Sequence, residues 1–301
     1  MPWLLCLALA LGTLGVAAVG LSARGARRWA VATQVLARRL EAGRVDDKRD
    51  VPSTPTRYDA RELDGLPAPV QRYFRAVLKD GQAIITAITI DMAGTFNMSA
   101  TGEQWKAFTS RQRVVTRRPG FLWNAEIAML PGLKVRVIDS YIVGTGLLLA
   151  TIQGLFTMAD LRGGGDIARG EFMRWFAEVA WYPTALLPSQ GVRWEAVDNR
   201  SANATIVDGP LALTLLFRFN DAGLIDSFRA EARGGMVDKK MVMAPWEGNW
   251  SNYQMRDGMQ VPFTGEVAWM RTDGRGPYFI GTVTALAYEF AAGPGTAARV
   301  T

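Results

Sequence analysis

The strongest constraint on the fold is a series of alternating segments joined by very short connections. Residues 84–97, 103–117, 121–129 and 133–142 alternate apolar and polar side chains, the two-residue period of strands. Arg118-Pro119-Gly120 and Pro131-Gly132 read as turns between them. Connections this short join antiparallel neighbours, because a parallel pair needs a long crossover. A second series covers 192–198, 202–208, 211–219, 224–233, 243–255, 260–271 and 277–289, with turns at 220–223 and 273–276. Between the two series, the apolar run 146–159 (GLLLATIQGLFTMA) reads as helical and is too short to span a bilayer. Arg162 to Asp166 is a glycine-rich break, and Phe172, Trp175, Phe176 and Val179 then mark one face of a helix that Pro183 ends. The predicted class is α+β: a large curved, half-barrel-like antiparallel sheet with a helical insert packed on one face. Such a sheet can enclose an apolar cavity.

The N-terminal region is of another kind. Residues 2–23 carry no charge; as a helix they extend about 33 Å, enough for a bilayer core of roughly 30 Å. The expectation is a transmembrane helix over 1–23, with a cleaved signal peptide as the alternative. Residues 24–56 read as a basic juxtamembrane helix and linker, 57–290 as the β-rich body, and 291–301 as a tail. In the body, "LPAPVQRYF" opens a helix, with Pro67 and Pro69 suited to its entry. Residues 1–49 hold eight Lys and Arg against three Asp and Glu, a net +5 of the total +6. The basicity therefore sits where anionic headgroups would attract it, and Arg24, Arg27, Arg28 and Trp29 are the expected membrane-surface residues. Charge bias places the body in the cytoplasm of a bacterial inner membrane, or in the periplasm if the segment is a signal peptide or inverted anchor. A near-neutral body argues against nucleic acid as a partner.

Absences narrow the chemistry. The chain has no histidine and one cysteine, Cys6, inside the apolar run. Histidine-assisted triads, cysteine nucleophiles and Cys/His zinc sites are thereby removed from the body, and no cofactor or metal is expected. Gly163 to Gly165 lacks the Lys-Ser/Thr of a phosphate loop, and Gly144-Thr145-Gly146 lacks dinucleotide spacing. The aromatics Trp123, Trp181, Tyr182, Trp194, Trp246, Trp250 and Trp269 read either as core or as the wall of a cavity for a hydrophobic ligand. Tyr141 and Asp139 share one strand face, and with Asp198 the latter could form a carboxylate pair. Glu178 is either a buried acid tuned by apolar neighbours or one end of a solvated pair with Arg174, four residues earlier. The candidate ligand-binding set is thus Trp123, Tyr141, Glu178, Trp181, Tyr182, Trp194 and Trp246.

Six segments carry a resemblance: "LPAPVQRYF", "PGFLWNAEIAMLPG", "VIDSYIVGTG", "FAEVAWYPTALLP", "GVRWEAVD" and "PWEGNWSNY…GMQVPFTGEVAW". Together, over about residues 60–285, they look like an uncharacterised bacterial domain-of-unknown-function family, which brings no activity with it. The strand-rich pattern is also similar to the lipoprotein-carrier (LolA-like) class, and that likeness implies a curved sheet holding an acyl chain. The functional expectation is a membrane-anchored, non-catalytic binding module for an apolar ligand, a lipid or acyl chain. Its partners would be membrane lipids through residues 2–29. An accessory subunit of an inner-membrane protein complex is the alternative, and an enzyme using carboxylates and tyrosine a third.

Overall fold

The computed structural model describes residues 2–44, 55–99, 102–237 and 240–292. Helix α1 runs unbroken over Pro2–Ala42, α2 over Ala68–Val77 and α3 over Gly165–Ala177. The first six strands are β1 (Ile85–Asn97), β2 (Trp105–Val115), β3 (Gly120–Leu130), β4 (Leu133–Ile142), β5 (Thr145–Ile152) and β6 (Phe156–Gly163). After α3 come β7 (Arg193–Asp198), β8 (Ser201–Asp208), β9 (Leu211–Phe219), β10 (Ile225–Val237), β11 (Lys240–Arg256), β12 (Met259–Arg271) and β13 (Gly274–Phe290). All thirteen form one antiparallel sheet in the order β6-β5-β4-β3-β2-β1-β13-β12-β11-β10-β9-β8-β7. Two meanders thus meet where β1 pairs with β13.

The sheet curls. Nine strand spacings separate β4 from β8, roughly 43 Å on a flat sheet at about 4.8 Å each. Yet the Tyr141 hydroxyl on β4 donates to Asp208 Oδ2 on β8 at 2.5 Å. Register shifts in the β1–β13, β10–β11 and β12–β13 pairings supply local bends, as bulges do. Alternation divides the side chains between the two faces. On β3 and β4, Phe121, Trp123, Ala125, Val137 and Tyr141 face inward to α3, while Leu122, Ile138 and Ile142 face outward.

The expected helix over 146–159 is corrected to β5 and β6. Gln153 and Gly154 both take positive φ, 56° and 73°, the conformation of a tight hairpin turn. The error is intelligible. Leu148 and Ala150 pack inward while Leu147 and Leu149 pack under α1, so β5 is apolar on both faces and shows no alternation.

The outer face carries the second half of α1. Trp29 and Leu40 are buried there with Ala87, Val115 and Leu122, and Trp29 Nε1 donates to Asn124 Oδ1 at 2.8 Å. Trp29 therefore belongs to the fold and not to a membrane surface. The end of α1 is tied to two strands by Glu41 and Glu289 shared between Arg44 and Arg113, at 2.6–3.0 Å. The apolar segment and the basic segment after it form one continuous helix. Among the described residues no helix is long and apolar enough to cross a membrane. The side chains of Pro2, Leu5, Ala8, Ala10, Leu11, Leu14 and Ala18 lie outside that description. Most of the expected linker (45–54) and tail (293–301) also lies outside the described residues.

Helix α1 approaches the β5–β6 turn backbone to backbone. A Cβ on Gly25 would stand 2.0 Å from the Gln153 carbonyl oxygen, with no flexible side chain to yield. Gly25→Ala should therefore lift the helix from the sheet and cost about 1–3 kcal/mol, the usual range for overpacking. Urea unfolding measures the loss, and greater exposure of Trp29 to a fluorescence quencher reports the lifting. An unchanged midpoint would show that the helix does not dock there.

Candidate ligand cavity

Inside the curl lies a cavity of about 460 Å³, within the ~300–1,000 Å³ typical of small-molecule sites. Its aliphatic wall comes from the first meander: Ile127, Val135, Val137, Leu148, Ala150 and Leu161. Its aromatic wall comes largely from the second: Phe228, Trp246, Trp250, Trp269 and Tyr278, with Trp123 opposite. Helix α3 and the 3-10 turn Glu178–Trp181 close one side. Glycines thin the wall: a Cβ at Gly265 would meet the Trp250 ring at 2.7 Å, so the indole can lie flat against the strand.

Arg174 organises the polar end. Its guanidinium donates to Asp139 Oδ2 at 2.5 Å, Glu178 Oε1 at 2.9 Å and Gln112 Oε1 at 3.4 Å. It also lies 4.6 Å from the Trp123 ring centre and 5.1 Å from that of Phe121. Burial would favour loss of its proton, but the carboxylates of Glu178 and Asp139 outweigh this and raise its pKa. The solvated Arg174–Glu178 pair considered from sequence is thus a partly buried network joining α3 to β2 and β4.

Glu171 lies one turn before Arg174 and is 7% exposed. Desolvation first, then the neighbouring Asp139 charge, push its carboxyl well above the ordinary value. Glu171 Oε2 and Asp139 Oδ1 have no donor among the described residues. Burial and the Asp139 charge thus both favour the protonated form of Glu171, the form that could donate to Asp139. On β10, Arg233 is 9% exposed and lies 4.2 Å over the Trp246 ring. Both Arg233 Nη1 and Trp246 Nε1 donate to the Tyr278 hydroxyl, at 3.4 and 3.0 Å.

The structure brings together Trp123, Glu178, Trp181 and Trp246 around the cavity. It places Tyr141, Tyr182 and Trp194 in the solid core. Tyr141 stacks on Phe172 at 5.0 Å, the Tyr182 hydroxyl donates to the Trp175 carbonyl, and Trp194 donates to the Leu186 carbonyl beside Phe217. The pairing of Asp139 with Asp198 does not occur. Asp198 ends β7 and accepts from the Arg200 backbone N–H in a turn. No group of three metal-ligating side chains occurs among the described residues. Sequence reasoning missed Arg233 and Glu171 as cavity residues. A register shift between Ala230 and Arg233 reverses the alternation of β10, so an arginine takes an inward position that strict period-two reading gives to its neighbours.

A family of unknown function (DUF6920) matches residues 64–288, well over half of the chain. The chain belongs to this family. The matched span holds α2, α3, the whole cavity and every strand except the last two residues of β13, and leaves out all of α1. No curated protein matches the sequence. Among solved structures, the LolA superfamily protein NE2245 from Nitrosomonas europaea is similar at 9% identity and a TM-score of 0.38, over 76% of this chain and 96% of that one. A likeness of that degree carries no functional inference.

Because the folded state raises the Glu171 pKa, its favourable contribution is complete below the unfolded value near 4.5 and is lost as pH rises through the folded value. Between the two, wild type should lose about 1.4 kcal/mol per pH unit relative to Glu171→Gln, which keeps a donor for Asp139. Unfolding of both proteins across pH 4–8 measures this difference. Parallel curves would mean that Glu171 ionises freely.

Proposed function

We propose that this chain is a binding module that takes an apolar ligand, a lipid or acyl chain, into the cavity between its two meanders. The observation that carries the reading is the cavity itself: about 460 Å³ of space walled by aromatic and aliphatic side chains within a close-packed core. Protein interiors are ordinarily filled, and large space with an apolar lining costs stability unless something occupies it. Binding rather than catalysis is favoured because Asp139 and Glu178 are both engaged by Arg174, and Glu171 is held beside Asp139.

The second half of the proposal concerns location. In the N-terminal half of α1, Trp3, Leu4, Leu7, Leu9, Val16, Val19 and Leu21 are each about half exposed or more. An exposed apolar run of this size is a contact surface. We assign it to membrane lipid, with the basic residues Arg24, Arg27 and Arg28 behind it at headgroup level.

Two measurements test these assignments. The delipidated protein should bind N-phenylnaphthylamine, a neutral apolar dye, with enhanced emission. Ala150→Phe, which fills the cavity from β5, should weaken that binding at least tenfold. No dye binding by wild type contradicts the ligand reading. In flotation with anionic liposomes, the full chain should rise with the lipid and a Leu4→Asp, Leu7→Asp variant should remain below. Flotation unaffected by the substitutions, or recovery of the chain only with fixed protein partners, contradicts lipid as the contact.

A further inference from the structure

Among the described residues, the cavity holds a cation without an ion-pair partner. Arg174 has an acceptor at each of its three nitrogens, from Asp139, Glu178 and Gln112. Arg233 has no such set. Among the described residues it makes no ion pair, and its Nε has no acceptor. Its neighbours are the faces of Trp246 and Trp269 and the Tyr278 hydroxyl. That hydroxyl accepts from both Trp246 and Arg233 and donates to no described residue, so its own proton is available to a guest. A buried guanidinium without an anion is costly, and its Nε–H and Nη–H edges form the fork that a carboxylate meets with two oxygens. Glu171, the nearest unpaired acid in electrostatic terms, is not within ion-pair distance and is itself held toward the protonated form beside Asp139.

Resting on the apolar-ligand reading above, we propose that the ligand is an acid-headed amphiphile, a long-chain carboxylate. Its head would bind the Arg233 fork and the Tyr278 hydroxyl, and its chain would lie against Ile127, Val137, Leu148 and Ala150. The arrangement sorts ligands by charge as well as length. A neutral chain leaves the Arg233 Nε unsatisfied, and a cationic head meets like charge. The stacked indoles keep water from the guanidinium and hold its plane fixed, so the ion pair forms without first ordering the side chain.

The test compares hexadecanoic acid, hexadecanol, hexadecylamine and a hexadecyl phosphate monoester on the delipidated full chain by calorimetry. Wild type should bind the acid at least tenfold tighter than the alcohol and the amine, and tighter than the phosphate. Arg233→Met should bind the acid and the alcohol alike, with alcohol affinity near that of wild type. Tyr278→Phe should lower acid affinity several-fold and leave the alcohol unchanged. Equal wild-type affinity for acid and alcohol overturns the carboxylate assignment while leaving the apolar-ligand reading intact, and so does preference for the amine or the phosphate. Retention of acid preference in Arg233→Met overturns the role of that residue. Failure of all four compounds to bind wild type overturns both. The wild-type comparison needs no variant, so the assignment stands or falls even if Arg233→Met does not fold.

Discussion

The partly buried guanidinium of Arg174 is the joint on which the cavity depends. It lies where α3 crosses the first meander and binds a carboxylate on β4, an amide on β2 and a carboxylate at the start of the 3-10 turn that follows its own helix. The rings of Trp123 and Phe121 cover its faces. An arginine in such a position is stable only while all its partners are present, because loss of one leaves another charge buried alone. Its geometry therefore fixes the distance between α3 and the sheet. That distance leaves room for a cavity where tighter apolar packing would close one.

A second constraint keeps the sheet curled. A thirteen-stranded antiparallel sheet left open would flatten or split. Here Tyr141 to Asp208 draws the two meanders toward one another, and the helical insert between them is fixed to the second by Phe176 against Phe217 and by Trp181 donating to the Pro262 carbonyl. Helix α3 and the turns after it act as the filler at one end of the curl, and the aromatic rings of β10 to β13 leave the other end partly empty. On the convex side, α1 covers the strands of the first meander and closes its own apolar stripe against Ile138 and Leu147. The inner and outer faces of β3, β4 and β5 are thus both buried, which makes the first meander the rigid wall of the molecule.

Much of this was legible in the sequence because antiparallel strands advertise themselves twice, by alternation and by short turns. Eleven of the strands coincide with alternating segments, whereas the helical insert ends at Ala177, six residues before Pro183, which instead opens a 3-10 turn of its own. Legibility failed where burial on both faces erased alternation, at β5, and where a bulge reversed it, at Arg233. It failed again for Trp29: an indole after an apolar run is equally suited to a headgroup and to a sheet, and only tertiary contact with Asn124 distinguishes them. The aromatic candidates divided for a similar reason. Trp194 and Trp246 both lie on strands amid apolar neighbours. What separates wall from core is the position of the strand around the curl, a property of global closure that no local pattern encodes.

The central claim is that the interior is hollow and apolar by construction. Crystals of the delipidated full chain soaked with a monobrominated alkane test it directly. The account predicts an anomalous bromine peak between Trp123 and Trp246, with Arg174 and its partners unmoved. A collapsed interior, with the Trp181 and Trp250 rings turned into the space and no bromine peak, would contradict it.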